Sequence, residues 1–357
     1  CHVMVRRNGA LIFALQTLEF NVYSALLEGD AMLSLELIRQ NPDLVKTGIA
    51  KKNEGPEIID EILNMDRRRR ELVQEADELK HRRNEASDRI AELKRSRKDA
   101  TAAIVEMREV GLRIAELDEQ AKATEASLHD LVLRVPNLPH GSVPYGASDK
   151  ENSVVFTWKD RPTFSFRPKP HWEIGEALGI IDSAAGAKVS GSRFYVLKGL
   201  GAKLERSLIS WMIDVHVQEN GYVEVLPPYL VNRDSMTGTG QLPKFADDLY
   251  HTDTDDLFLD PTAEVPVTNL LRDEVIREED LPIKYVAYTA CFRKEAGAAG
   301  RDTRGIIRVH QFNKVEMVKF VRPEDSYHEL DLLLDNAESI LRKLDLPYHR
   351  SMMCTGD

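Results

Sequence analysis

The sequence predicts an α+β domain on an antiparallel sheet flanked by helices, preceded by a long antiparallel coiled-coil hairpin. Two observations carry that prediction. Apolar residues recur in heptads from Ile62 to Val135 with one interruption. After "RVPNLPHGSVPYG" the pattern changes to short alternating strands interleaved with amphipathic helices, without strict βαβ alternation.

Bulk properties narrow the class of protein. With 357 residues and 42% hydrophobic content, the chain has room for two or three domains and a sizeable core. A net charge of −11 argues against indiscriminate coating of nucleic acid, so any such contact must be local. Cys1, Cys291 and Cys354 lie far apart without a C-x-x-C pair, which points to neither a disulfide framework nor a cysteine-rich zinc site. A reducing, cytoplasmic compartment is the expectation. Arg6 and Arg7 before "GALIFALQTL" loosely mimic a signal peptide, but the run is short and broken by Gln16. No later stretch has the apolar length to span a bilayer, so no membrane partner is expected. Residues 1–31 are left as an unassigned extension.

The heptads come next in the chain. Ile62, Ala76 and Ile90 form one track, and Met65, Leu72, Leu79, Ala86 and Leu93 the other. A second set runs through Met107, Ile114, Ala121, Leu128 and Val135 beside Val110, Leu117, Thr124 and Leu131. The break at "SRKDATA" is too short for parallel pairing within one chain, so the helices must fold back on each other. At 1.5 Å per residue the resulting arm is roughly 50 Å long. Arg69 and Arg83 fall on the seam, from which long basic side chains can snorkel into solvent. Residues 67–98 hold twelve basic against seven acidic side chains, while the returning helix holds four against eight. Complementary faces holding the hairpin together explain this, and so does a basic strip that touches a phosphate backbone. Charge alone does not choose.

Prolines and glycines in "RVPNLPHGSVPYG" mark a linker over 136–150, between an N-terminal domain at 32–135 and a second domain at 151–357. Strands are expected at "RFYVL", "YVEVL" and "KYVAYTACF", and a helix over 202–219 with Leu204, Leu208, Met212 and Val215 inward. A last helix over 324–344 carries Leu330, Leu333, Leu334, Ala337, Ile340, Leu341 and Leu344 at helical spacing. A strand in the following "PYHRSMM" would have little chain after it to complete the domain.

The densest chemistry lies in "FRKEAGAAGRDTRGIIRVHQFNKVE", from Phe292 to Glu316. If "KYVAYTACFRKE" and "IIRVHQFNKVEMVKF" are antiparallel strands, this is a long hairpin loop. Alternation then puts Arg308, His310, Phe312, Lys314 and Glu316 on one face and Val309, Val315 and Met317 on the other. Cross-strand charge pairing is one account of the polar face. Phe312 among the charges favours another, in which a base stacks on its ring and arginines clamp the phosphates. No G-x-x-x-x-G-K-[ST] occurs, so this would be an ATP site without a P-loop. "GLGAK" at Gly199 is a weak echo better read as a loop before a helix, and "HWEIGE" at His171 lacks the second histidine of a zincin.

The hairpin resembles the second signature motif of class II aminoacyl-tRNA synthetases. "TGTGQLPKFADDLY", "PTAEVPVTNL", "KVSGSRFYVLKG" and "RVPNLPH" after a helical hairpin are together similar to the bacterial seryl-tRNA synthetase family, from about Met32 to Asp357. The resemblance implies a class II synthetase-like sheet and the ATP-dependent joining of L-serine to serine tRNA through a seryl-adenylate. It implies that Arg293 is catalytic at the α-phosphate, with Lys294 also on ATP. Glu295 and the backbone at Val309 would hold adenosine, Phe312 would stack on the base and Arg308 would reach the phosphate tail. Serine would be held by Thr262, Ala263, Glu264 and Glu316, although "PTAE" also suits a helix start whose acid favours the dipole.

"NGYVEVLPPYLV" resembles the first class II motif, which implies a homodimer, and the arm resembles the family's tRNA-binding arm, which favours the phosphate-contact account of its basic strip. The family's magnesium and ATP ligands and a third motif are expected beyond Asp357, so weak or absent adenylation with retained tRNA affinity is expected of residues 1–357. A non-catalytic, tRNA-binding or dimerising relative stays open, as does an amino-acid:carrier-protein ligase, against which the long arm weighs.

Overall fold

The computed structural model of the protein describes residues 33–296 and 304–357. Residues 1–32, which include the extension at 1–31, and the middle of the hairpin loop, 297–303, lie outside the described residues. The rest of the chain folds as two units, one ending at Pro139 and one beginning at His140.

In the first unit Ser34 begins α1 (Leu35–Gln40), its hydroxyl accepting the Leu37 N–H at 3.1 Å. Pro42 opens α2 (Pro42–Ala50), where its missing N–H costs nothing. The two long helices are α3 (Glu57–Arg95) and α4 (Thr101–Arg134). Leu72 and Ala76 of α3 close on Leu117 of α4, flanked by Leu79 and Ala121, so the heptad seam forms as the sequence predicts. Ion pairs cross it: Lys80 to Asp118 at 2.8 Å, Arg113 to Glu75 at 2.8 Å, and Arg69 to Glu125 at 3.8 Å. Arg69 is therefore paired rather than free in solvent, whereas Arg82, Arg83 and Arg89 are exposed. Near the base, Asp66 is fully buried and receives a fork from Arg39, with Nε at 2.9 Å. Nothing in the heptads signals this polar pair.

In the second unit the elements run β1 (Ser153–Trp158), α5 (His171–Ala177), β2 (Ile181–Asp182), α6 (Ser183–Ser190), β3 (Val196–Leu197), α7 (Leu200–Gln218) and β4 (Val223–Val225). There follow β5 (Leu230–Asn232), α8 (Arg233–Gly238), β6 (His251–Thr252), β7 (Leu257–Leu259), α9 (Glu264–Thr268), β8 (Ile283–Phe292), β9 (Gln311–Phe320), α10 (Ser326–Lys343) and β10 (Tyr348–Met352). The sheet that matters has the order β4-β8-β9. β8 and β9 pair antiparallel over ten residues each, with Ala287 opposite Glu316, Thr289 opposite Lys314 and Cys291 opposite Phe312. β4 pairs with β8 in parallel, whereas the other strand pairs among the described residues are antiparallel. The long stretch between β4 and β8 makes that crossover possible.

One face of this sheet packs Val286 and Met317 against Ile213 of α7 and Leu333 and Ala337 of α10. The other packs Ala287 and Val318 against Ala263 and Val267 at α9. Gly221, at φ +71°, makes the turn from α7 into β4 without a side-chain penalty. Met212 and Val215 of α7 are buried as predicted, but Leu204 is 55% exposed. Successive i+4 steps drift by about 40° each around a helix, so Leu204 has rotated about 80° from Met212. The final strand does find a partner: β10 pairs antiparallel with β1, Tyr348 opposite Trp158. The Tyr348 hydroxyl donates to the buried Glu338 of α10 at 2.8 Å, fastening the strand to the helix.

Candidate active site

Three segments meet at the loop end of β8 and β9. Where the strands stop, the Arg293 N–H still donates to the His310 carbonyl at 3.0 Å, so the ladder continues one step into the loop. Arg293 directs Nε and Nη2 onto the Pro261 carbonyl, each at 3.1 Å, and its guanidinium lies 4.9 Å from the centre of the Phe312 ring. Burial pulls the Arg293 pKa down, an effect opposed chiefly by Cys291 and then by Glu295, Glu316 and Asp248. Pro261 precedes Thr262, so this one contact ties the hairpin to the "TAE" segment.

The segment after Arg293 is held from outside the hairpin. The Lys294 N–H donates to the Asp248 carbonyl at 2.8 Å, and its ammonium lies 5.9 Å from the Tyr250 ring. Glu295 adopts φ +52°. Its carboxylate accepts Nη1 of Arg308 at 3.2 Å, and its carbonyl accepts Nη1 of Arg193 at 3.4 Å. Val309 is buried, and the adjacent His310 N–H donates to the Arg193 carbonyl at 3.2 Å. Here strict alternation fails: β9 begins at Gln311, so Arg308 and His310 precede the strand, and the His310 ring turns to the Arg293 carbonyl at 3.0 Å.

From Phe312 onward alternation holds, and Lys314 and Glu316 join a compact network. Thr262 Oγ1 donates to Glu316 Oε2 at 2.6 Å, and the Glu264 N–H donates to the same oxygen at 3.1 Å. Lys314 Nζ reaches Glu316 Oε2 at 2.7 Å and Thr262 Oγ1 at 2.6 Å. Ala263 is fully buried beneath, and Glu264 is the first residue of α9, so its helix-start position and its place in this cluster coincide.

Sequence reasoning missed several participants. Lys314 was on the right face but had no partner; Arg193 and Asp248 had no role at all. Period-two spacing from Phe312 to Glu316 signals Lys314. Among the described residues no group of three or more His, Cys, Asp or Glu side chains is arranged to hold a metal ion. Among the same residues no helix is long and apolar enough to cross a membrane.

The chain is similar to known proteins over most of its length. Residues 32–139 match the seryl-tRNA synthetase N-terminal domain, and residues 246–357 match the tRNA synthetase class II core domain (G, H, P, S and T). The serine–tRNA ligase of Geobacillus sp. (strain WCH70) is 60% identical over 326 residues, which span 91% of this chain and 77% of that protein. That of Clostridium tetani is 48% identical over 328 residues, with the same two shares. The crystal structure of seryl-tRNA synthetase from Pyrococcus horikoshii complexed with ATP superposes with a TM-score of 0.84 at 35% identity, covering 91% of this chain and 78% of that one. The cytoplasmic serine-tRNA ligase of Naegleria fowleri in complex with AMP gives 0.77 at 25% identity, covering 92% and 76%. With a family-specific N-terminal domain, a class II core and this degree of identity, the chain belongs to the seryl-tRNA synthetase family.

Proposed function

We propose that the chain activates L-serine with ATP and transfers the seryl group to serine tRNA. A serine carboxylate oxygen attacks the α-phosphorus, the bond to pyrophosphate breaks, and a ribose hydroxyl of the tRNA then attacks the acyl carbon and releases AMP. The observation that carries the reading is the junction at Pro261, where the Arg293 guanidinium beside Phe312 adjoins the Thr262–Lys314–Glu316 network.

Two of the five guanidinium donors of Arg293 are spent on Pro261, which fixes the plane of the fork before substrate arrives. The remaining donors take the α-phosphate and offset the charge that builds on it in the transition state. A purine on the Phe312 ring adds about 1–3 kcal/mol of stacking. Glu295 and the Val309 backbone border that purine, Lys294 lies along the nucleotide, and Arg308 exchanges part of its contact with Glu295 for the phosphate tail. Thr262, Ala263, Glu264 and Glu316 frame a small pocket that hydrogen-bonds serine. Alanine would leave those groups unpaired, which supplies discrimination.

The exposed Arg82, Arg83 and Arg89 on α3 support tRNA contact through the arm. Leu204, Leu200, Val223 and Leu226 are exposed apolar side chains at α7 and the edge strand β4, and they support a homodimer at that surface. The same reading puts the enzyme in the cytoplasm.

Serine-dependent ATP–pyrophosphate exchange tests the assignment. Arg293→Ala is expected to lower the exchange rate by about 10²–10³. Exchange that survives the substitution unchanged would remove Arg293 from the reaction.

A further inference from the structure

Asp260, the residue before Pro261, is used by nothing above. Its side chain is fully buried, and neither carboxylate oxygen makes a well-formed hydrogen bond among the described residues, although the Thr289 hydroxyl lies near enough to favour its charge. The backbone pins it there: its N–H donates to the Tyr229 carbonyl at 2.8 Å, and its carbonyl accepts the Phe292 N–H at 2.9 Å. Thr289 and Cys291 of β8, Lys314 and Glu316 of β9, and Tyr229 from the loop before β5 are the polar and titratable groups around it. Burial pushes its pKa up to about 7, opposed in part by Thr289 and Lys314 and reinforced by Glu316.

A buried carboxyl without a well-formed hydrogen bond calls for a reason. Lys314 offers one, because it pairs with Thr289 across the ladder, its ammonium lies in the network on Glu316 and Thr262, and its charge already favours ionised Asp260. Glu316 Oε2 accepts hydrogen bonds from Thr262, the Glu264 N–H and Lys314. Serine brings a second ammonium to the same carboxylate, and two cations against one anion repel. A further carboxylate within reach of Lys314 removes that imbalance.

We propose that Asp260 is a positioning residue of the serine pocket, giving its proton to solvent and taking up the Lys314 ammonium when the ammonium of serine engages Glu316. This rests on the serine pocket described under the proposed function. Serine then lowers the pKa of Asp260 below its value in the free protein. Affinity for serine is greatest above pH 7, where the carboxyl is already ionised, and falls as the pH drops and serine must displace a proton.

Calorimetric titration of L-serine into this chain tests the inference, with 3-hydroxypropionate, which lacks the ammonium, as the control probe. Serine should bind about tenfold more weakly at pH 6 than at pH 8 and release protons at pH 7, seen as a dependence of the heat on the buffer's ionisation enthalpy. 3-Hydroxypropionate should release none. Asp260→Asn fixes the neutral form, so it should bind serine at pH 8 about as weakly as the parent does at pH 6, and with no further pH dependence. An Asp260→Asn chain with the parent's pH profile, or a parent that releases no proton, overturns the inference even if the variant is unstable. Glu316→Gln separates the two layers. If it abolishes serine binding while Asp260→Asn leaves binding unaltered, only the role of Asp260 fails; if it binds serine as the parent does, the pocket itself is wrong and the inference falls with it.

Discussion

Lys314 and Glu316 have side chains only 9% and 8% exposed, so each is the other's buried counter-charge. Lys314→Met keeps most of the stem and removes the ammonium. Glu316 would then retain the Thr262 hydroxyl and the Glu264 N–H but no counter-charge. Removing one partner of a buried pair costs about 3–5 kcal/mol, and the two surviving hydrogen bonds put this case near the lower figure. Urea denaturation of the second unit would measure it, and adding Glu316→Gln should restore most of the loss. A loss below about 1 kcal/mol would show that the carboxylate is compensated elsewhere. The sequence made the face of Lys314 legible, because alternation between Phe312 and Glu316 is local. Its bond to Thr262 was not legible, since that partner is 52 residues away and its placement depends on how α9 packs on the sheet. Asp260 was invisible for the same reason: a carboxylate between Leu259 and Pro261 reads as an exposed turn until β8 closes over it.

The elements divide similarly between local and distant causes. The arm was readable because a heptad seam needs only a neighbouring helix, and Leu117 lies fully buried against Leu72 and Ala76. Leu117→Ala should therefore cost about 2–5 kcal/mol and loosen the arm, which hydrogen exchange of α3 and α4 amides would report as faster opening. Exchange unchanged in both helices would mean that the cross-helix ion pairs rather than the seam hold the arm. The hairpin of β8 and β9 was readable in type and partner, but not at its loop end. There Arg308 and His310 leave the strand because Arg193 takes the His310 N–H that a longer ladder would have used. Leu204 marks the opposite failure, in which helical spacing was right but the buried arc of α7 is narrower than four leucine-like positions. The pairing of β10 with β1 joins residues nearly two hundred positions apart, a distance over which no periodicity operates.

At the scale of the whole molecule the charge is segregated. The chain carries −11, yet residues 67–98 carry five more positive than negative charges, and three of those arginines, Arg82, Arg83 and Arg89, are exposed on α3. The groups proposed to activate serine all lie from residue 260 onward, in the second unit. Counterion release should therefore make tRNA affinity fall steeply with salt, while adenylate formation, which needs no such strip, should vary little. Replacing Arg82, Arg83 and Arg89 together by alanine should weaken binding of serine tRNA and reduce the slope of log affinity against log salt by about two to three, given roughly 0.7–0.9 for each phosphate that is no longer neutralised. Pyrophosphate exchange measured on the same preparation should keep the parent's rate. A slope that does not change would assign the basic strip to holding the hairpin together and move the tRNA interface elsewhere. A slope that falls together with the exchange rate would mean that the arm and the catalytic unit are not energetically separable.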